Sequence, residues 1–169
     1  LNPVHTVPTL DDDGFVLYDS HAIMGYLIGK YAEDKSLYPE DVEKRALIDQ
    51  RLHFDSGVLF ARYVILSIPF LIRGLKEVTE AQKAAIHDAY GFLDTFLQNN
   101  TYAAGNNLSI ADFSIVTTLK NSNVFVPVDA DRYPNITAWK KVMQSLPYHD
   151  INEVGGEIFR AAIESQLSK

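Results

Sequence analysis

The stretch His5-Thr6-Val7-Pro8-Thr9-Leu10-Asp11-Asp12-Asp13-Gly14-Phe15-Val16-Leu17-Tyr18 decides how the N-terminal part of this chain folds. Thr9-Leu10 and Phe15 to Tyr18 favour β-strands, and Asp13-Gly14 between them supplies the positive φ angles of a two-residue hairpin turn. Ser20 follows as the predicted cap of a helix, because its hydroxyl can accept hydrogen bonds from the first-turn N–H groups. The sequence therefore predicts a ββα unit.

Two features of this ββα unit indicate a ligand. Pro8 cannot donate to a β-ladder, and a cis bond before it turns the N–H and C=O of Val7 outward, where an extended peptide can pair. The helix start at Ser20 offers free N–H groups and the positive end of the helix dipole, which suit a carboxylate. Together they predict a pocket for a small acidic peptide. A plainer reading needs no ligand, since Ser20 then only caps the helix and Asp19 only complements its dipole.

The composition excludes several classes of function. Nucleic-acid binding needs a positively charged surface, whereas the net charge of this chain is -7, so we expect no nucleic-acid partner. The chain has no cysteine, so any sulfur chemistry must use a sulfur atom that arrives with the ligand. The longest apolar run, Val64 to Ile72, is shorter than the roughly 20 residues of a membrane span, so we expect no membrane partner. His53, His87 and His149 lack ligand spacing, so we expect no metal site.

The second part of the chain is predicted to be entirely helical. From residue 41 onward the sequence shows helical periodicity without strand alternation. Leu37-Tyr38-Pro39 forces extended backbone ahead of this part, because the residue before a proline is pushed out of the helical region. The predicted division is therefore an N-terminal part over 1–34, a linker over 35–40 and a helical domain over 41–169.

Local motifs predict where several helices begin and end. Thr79 to Gln82 is a capping box, and Ser109 to Asp112 is a second one ahead of a predicted central helix. Pro69 is expected to kink or end the first long helix of the helical domain. The pair Gly155-Gly156 is expected to separate the last helix from the chain before it.

A mostly apolar stripe follows one face of that first long helix. Its members recur at helical spacing and are Phe60, Tyr63, Val64, Ser67 and Ile68. Periodicity alone favours an ordinary core face. The alternative is one wall of a pocket for a broad range of apolar molecules.

The motifs of this chain resemble those of the cytosolic glutathione transferases, most closely the insect delta and epsilon classes. The resemblance rests on Asn2 to Leu10, Asp19 to Ile23, Arg51 to Gly57 and Leu108 to Phe113, and it covers essentially all 169 residues. It implies an α+β fold in which a partial thioredoxin-like N-terminal domain, the β-hairpin plus one helix, precedes an all-α C-terminal domain. It also implies that the serine which stabilises the glutathione thiolate lies upstream of residue 1, so no catalytic residue is assigned in this chain.

The resemblance assigns two sets of site residues. The expected glutathione-binding residues are His5, Thr6, Val7, Pro8, Asp19, Ser20 and His21. The residues expected to face a hydrophobic substrate are Phe60, Tyr63, Val64, Ser67 and Ile68. His21 stands where many relatives have an arginine, so a permanent cation at this end of the site is not assured. The Asp19-Ser20-His21 triplet and the segment from His53 to Ala61 favour the epsilon class.

The implied function is conjugation of the glutathione thiol to apolar electrophiles, as in detoxification. Glutathione is then a co-substrate, no metal is involved, and the enzyme is expected to be a cytoplasmic homodimer. The alternative is a truncated, non-catalytic remnant that binds glutathione or another ligand, or a structural relative of the transferase fold. A chain that truly began at Leu1 would favour the alternative.

Overall fold

The computed structural model describes residues 1–74 and 76–167, and its first feature is the predicted β-hairpin. Strand β1 spans Thr9–Asp12 and strand β2 spans Phe15–Tyr18. They pair antiparallel, with Thr9 opposite Tyr18 at the open end of the hairpin. The turn residues Asp13 and Gly14 have φ angles of 53° and 89°, the positive values that a two-residue hairpin turn requires. The predicted hairpin is confirmed.

Helix α1 spans Ser20–Tyr31, and its cap differs from the prediction. Asp19, not Ser20, is the capping residue, since its carboxylate accepts hydrogen bonds from the backbone N–H groups of His21 at 2.9 Å and Ala22 at 3.2 Å. The predicted role of Ser20 as the cap is therefore wrong, because Ser20 is already the first helical residue. Within the described residues the Ser20 hydroxyl makes no hydrogen bond.

A cluster of polar side chains fastens the hairpin to α1. The carboxylate of Asp12 accepts hydrogen bonds at 2.6 Å from the Tyr26 hydroxyl, the Lys30 ammonium and the Tyr31 hydroxyl. The hydrogen bond from Lys30 is the largest reason why the pKa of Asp12 lies well below its usual range. The same contact raises the pKa of Lys30. This cluster sits at the surface and sets the angle between the hairpin and the helix.

A long helical segment follows the linker and continues past Pro69. Helix α2 spans Val42–Phe54, a π-helical turn covers Asp55–Leu59, and helix α3 spans Phe60–Arg73. Of the two outcomes expected at Pro69, a kink or an end, the end is wrong, since α3 continues through Pro69 to Arg73 and its C-cap Gly74 has the left-handed conformation. Proline removes one helical hydrogen bond, and the buried side chains of α3 on either side of it, Leu66 and Phe70, keep the helix packed through that point.

The segment Val42–Ile72 is also long and apolar enough to cross a membrane by length and composition. Its 18-residue window has a mean hydropathy of 1.5, and 33% of that window is buried within the protein. This segment is longer than the apolar run Val64 to Ile72 because it includes polar and charged residues between the apolar ones. The criterion is weak for a single helix, because a core helix of a soluble protein meets it as well, and it assigns no membrane role here.

Four more helices complete the helical domain. Helices α4 and α5 span Glu80–Leu97 and Ile110–Phe125, and helix α6 spans Pro134–Gln144. The last helix, α7, spans His149–Leu167. Both predicted capping boxes are present, and α5 lies at the centre of the core, where it packs against α2, α3 and α7. The α+β architecture with an all-helical second domain is confirmed.

Helix α7 runs through Gly155-Gly156, so the predicted break at this pair is wrong. The physical reason is a close approach to α5. A Cβ atom on Gly156 would lie 2.0 Å from Cε of Lys120, so the glycine makes room for the lysine stem and does not end the helix.

Candidate functional site

A cavity of about 410 Å³ opens at the N-terminal end of α1. It lies between α1, the π-helical turn with the start of α3, and the first half of α5. We call it the α1 cavity. Its lining residues are Asp19, Ser20, His21, Met24, Asp55, Ser56, Phe60, Phe113, Ser114, Thr117 and Thr118.

A cluster of polar side chains forms the buried part of the α1 cavity. The carboxylate of Asp55 is only 2% exposed. Its Oδ2 atom accepts hydrogen bonds from the Ser114 hydroxyl at 2.5 Å and the Thr118 hydroxyl at 3.3 Å. Nε2 of His21 lies 2.6 Å from the Ser114 hydroxyl oxygen and 3.5 Å from the same Asp55 Oδ2. The three contacts that Asp55 makes with Ser114, Thr118 and His21 all fall on Oδ2.

The other oxygen, Oδ1 of Asp55, is buried and has no hydrogen-bond partner within the described residues. An unpaired buried carboxylate oxygen costs free energy, because burial removes its hydration without replacement. A ligand that brings an N–H donor or an ammonium group into the cavity would satisfy it. Asp55, one of the lining residues of the α1 cavity, therefore carries an unsatisfied acceptor.

The mouth of the same cavity favours the opposite charge. The N-terminus of α1 carries the positive end of the helix dipole, and the exposed Ser20 hydroxyl stands there without a hydrogen-bond partner in the described chain. Asp19 uses Oδ1 for the two capping hydrogen bonds, which leaves its Oδ2 unused. A carboxylate at Ser20 and an amine between Asp19 and Asp55 together match the head group of an α-amino acid.

The predicted residues of the N-terminal loop lie next to β1 but do not line the α1 cavity. His5 has a φ angle of 57°, and the peptide bond between Val7 and Pro8 is cis. Val7 is 93% exposed, and neither its N–H nor its C=O is paired with another described residue. The loop thus presents an open backbone edge, with Thr6 and Pro8 on either side of it.

The apolar stripe of α3 divides along its length. Phe60 is 47% exposed and lines the α1 cavity. Tyr63 and Ser67 are buried, and the Tyr63 ring meets those of Phe125 and Phe159 at centroid distances of 6.5 and 6.0 Å. Burial raises the pKa of Tyr63. The other two members remain accessible, since Val64 is half-buried and Ile68 is exposed.

A larger cavity of about 930 Å³ lies at the other end of α1. Asp34 and Lys44 are the charged residues among those that line it. None of its lining residues carries a buried polar atom without a partner. Volume alone therefore does not locate the site, and the chemistry favours the α1 cavity.

Sequence reasoning missed the buried acceptor and its two hydroxyl partners. Asp55 is a charged residue on the buried face of the long helix, a position that is expensive unless the charge is paired or used. Ser114 and Thr118 are spaced i, i+4 on α5, so they share one face. Within residues 1–74 and 76–167, no group of three or more His, Cys, Asp or Glu side chains could hold a metal ion.

Two family models match this chain. The glutathione S-transferase C-terminal domain matches residues 54–147, and the glutathione S-transferase N-terminal domain matches residues 1–35. "Glutathione S-transferase 1" of Manduca sexta is 39% identical over 170 residues, which cover 99% of this chain and 78% of that protein. The chain belongs to the glutathione S-transferase family.

Solved structures agree with this assignment. An epsilon-class glutathione S-transferase from the housefly, Musca domestica, is 44% identical with a TM-score of 0.94, over 98% of this chain and 77% of that one. A glutathione transferase homolog from Drosophila mojavensis, solved with bound glutathione, is 47% identical with a TM-score of 0.94, over 98% of this chain and 76% of that one. The resemblance to the insect delta and epsilon classes is confirmed.

Membership of the family carries the transferase function with it. The chain is a glutathione transferase that uses glutathione as its co-substrate, and its fold is a thioredoxin-like part followed by the helical domain. The alternative of a non-catalytic remnant is not favoured.

Proposed function

We propose that the α1 cavity of this glutathione transferase holds the γ-glutamyl end of glutathione. The unpaired Oδ1 of Asp55 carries the proposal, because the γ-glutamyl group supplies the ammonium group that this oxygen lacks. The Oδ2 atom of Asp19 is a second acceptor for the same ammonium. The γ-glutamyl carboxylate then meets the Ser20 hydroxyl and the positive end of α1, and His21 stays beside Ser114 and Asp55 as a polar support.

The N-terminal loop takes the remainder of glutathione in this proposal. The peptide backbone pairs with the N–H and C=O of Val7, which have no partner among the described residues and are flanked by Thr6 and Pro8. The exposed imidazole of His5 meets the glycine carboxylate. This places the cysteine sulfur of glutathione between the loop and α3.

The electrophile lies against the accessible part of the α3 stripe. Phe60, Val64 and Ile68 offer apolar contact, while Tyr63 and Ser67 support the wall from the buried side. The reaction forms a bond between the glutathione sulfur and an electrophilic carbon, and a leaving group departs with its electron pair or a double bond accepts it. The contribution of this chain is positioning, which turns an encounter of two molecules into a reaction within one complex.

Titration calorimetry with glutathione tests the site. Ser20→Ala removes one hydroxyl but leaves the Asp19 cap intact, so we expect about tenfold weaker binding at unchanged stability. His5→Ala is expected to weaken binding about fivefold. Ser36→Ala is the matched control, because Ser36 lines the larger cavity at the other end of α1. Equal affinities for all four proteins would remove the α1 cavity from the glutathione site.

We also propose that the enzyme is a homodimer in the cytoplasm. Arg62 of α3 donates a hydrogen bond to the Ala85 carbonyl of α4 at 2.6 Å, which joins the two helices. Beside this contact Ile65 and Phe92 are 66% and 49% exposed, an apolar surface that a second copy would cover. A light-scattering mass of twice the mass of the single chain in the sample supports the dimer, and a mass equal to that of the single chain excludes it.

A further inference from the structure

A third and much smaller cavity is lined by several positively charged side chains on the far side of α5. It has a volume of about 150 Å³ and lies between α5, α6 and α7. Lys120, Lys140, His149 and Arg160 line it together with one carboxylate, Glu153. We call this group of five residues the basic cleft. It shares no lining residue with the α1 cavity.

Lys120 shows that the basic cleft is a built feature of the fold. Its stem crosses Gly156 of α7, at a point where any side chain would collide with it. Its ammonium donates to the backbone carbonyls of Asn152 at 3.3 Å and Glu153 at 3.1 Å, and it pairs with the Glu153 carboxylate at 2.6 Å. These three contacts use all three donors of Lys120, so its charge remains in the cleft while its hydrogen bonds are satisfied.

Lys140 has no direct polar contact within the described residues, and the Glu153 carboxylate acts on it only at a distance. Lys140 is half-buried on α6, and within the described residues its ammonium makes no hydrogen bond and no ion pair. Burial lowers the pKa of Lys140, which reflects the cost of holding this charge out of water. Three unused donors therefore border a cavity that is too small for a drug-sized molecule but large enough for an ion.

The balance of charge in the cleft is positive, in a chain whose net charge is -7. Glu153 is the only acidic residue of the lining, and it already faces Lys120 and, at 3.5 Å, Nε2 of His149. Two lysines and one arginine against one carboxylate leave a surplus of positive charge.

Amide groups at the wall add neutral donors. The amide oxygen of Asn123 accepts from the Val128 N–H, and that of Asn152 accepts from the Thr117 hydroxyl. Within the described residues, the NH₂ groups of Asn123 and Asn152 donate no hydrogen bond and can donate to a ligand. A ligand with several acceptor oxygens fits both the amides and the cations.

We propose that the basic cleft binds a small tetrahedral oxyanion of the phosphate class, with Lys140 and Arg160 as its charged partners. A compact dianion offers acceptors in several directions and neutralises the surplus charge. The site is separate from the transferase site, so the proposal does not rest on how glutathione binds.

Thermal unfolding of the protein in sodium phosphate, against sodium chloride at equal ionic strength and pH, tests this proposal. We expect a saturable rise of the unfolding temperature with inorganic phosphate that chloride does not reproduce. Titration calorimetry with inorganic phosphate gives the affinity, and we expect Lys140→Met to weaken it about tenfold or more. Phenyl phosphate in a parallel titration distinguishes a phosphate ester from the free ion as the better ligand.

Lys141→Met is the matched control, since Lys141 is the exposed neighbour on the same helix, outside the cleft lining. Arg160→Gln is a second test at an exposed position, where folding is not in question. Weaker phosphate binding in the Lys140 and Arg160 variants, with the Lys141 variant unchanged, supports the proposal. Stabilisation by chloride equal to that by phosphate, or equal phosphate affinity in all four proteins, overturns it.

Discussion

The region around Asp112, in the first turn of α5, and the region around Asp55, which packs against α5, each bury one aspartate but differ in how the carboxylate is paired. Asp112 is 0% exposed, and both of its oxygens are used. Oδ1 accepts from the Ala103 N–H at 2.8 Å and from the Trp139 indole N–H at 3.0 Å. Oδ2 accepts from the N–H and the hydroxyl of Ser109, each at 3.0 Å. This carboxylate has no capacity left for a ligand.

The carboxylate of Asp55 has as little exposure but only one oxygen in use. Its three polar neighbours Ser114, Thr118 and His21 all face Oδ2, and Oδ1 remains unpaired. The difference distinguishes two purposes of a buried charge. A carboxylate with every acceptor position filled holds the fold together, whereas a buried carboxylate oxygen without a partner calls for another explanation, which the proposed glutathione site supplies.

The largest effect is expected from Asp112→Ala. The substitution leaves the donors of Ala103, Ser109 and Trp139 buried without an acceptor, so we expect a loss of about 3 to 5 kcal/mol in the free energy of unfolding. Urea denaturation measures it. The fraction that still folds is expected to bind glutathione normally, because Asp112 does not line the α1 cavity.

Asp131→Ala is the control for Asp112, since Asp131 is exposed in the loop before α6 and its loss is expected to change stability by less than about 0.5 kcal/mol. The assignment of Asp112 to stability is contradicted if Asp112→Ala lowers glutathione affinity in folded protein while stability is retained. That outcome would make Asp112 part of the binding machinery.

An intermediate effect, on binding, is expected from Asp55→Asn. The amide keeps the shape of the side chain and an acceptor for Ser114, but it removes the charge that would meet an ammonium group. We expect glutathione affinity by calorimetry to fall about tenfold, the equivalent of about 1.4 kcal/mol. Stability by urea denaturation is expected to change much less than in Asp112→Asn, since Asp55 satisfies fewer donors.

Asp112→Asn is thus the matched control for Asp55→Asn, because it makes the same substitution at the carboxylate whose acceptor positions are all filled. If the two variants lose equal stability and both bind glutathione normally, the unpaired Oδ1 of Asp55 takes no part in glutathione binding. A binding defect confined to Asp55→Asn supports the distinction.

The two regions also show how far sequence reasoning reaches. The pairing of Ser109 with Asp112 was predictable, because a capping box is a local motif with a fixed spacing of three residues. Trp139 is 27 positions away and its hydrogen bond to Asp112 was not predictable. Asp55 depends wholly on distant partners, since Ser114 and Thr118 lie 59 and 63 positions along the chain.

The wrong helix boundaries have the same cause. Proline and glycine rules describe an isolated helix, and they overestimated Pro69 and Gly155-Gly156 because packing on both sides holds those helices together. At Gly156 the missing side chain admits Lys120, a contact that no spacing rule contains. The Ser20 cap failed for a local reason, since the adjacent Asp19 is an equally good capping residue. The hairpin succeeded because Asp13-Gly14 fixes its turn without help from the rest of the chain.

The smallest effect is expected from Asp12→Asn, where a well-paired carboxylate lies at the surface. Its three donors Tyr26, Lys30 and Tyr31 hold its pKa below the usual range in the folded state, so the unfolded chain takes up the proton first as the pH falls. The stabilisation is therefore complete above about pH 4 and is lost as the pH drops further. Asp112 should behave in the opposite way, because burial raises its pKa and its protonation favours the folded state.

Thermal unfolding of wild type and Asp12→Asn between pH 7 and pH 3 measures this difference. We expect a lower unfolding temperature for the variant at pH 7 and a gap that narrows below about pH 4. A gap that stays constant to pH 3 would show that the Asp12 charge contributes nothing and that the cluster acts through shape alone. Filling every acceptor position of a carboxylate would then stabilise this protein only at buried positions. The comparison of Asp112 with Asp55 would hold for the interior and not for the surface.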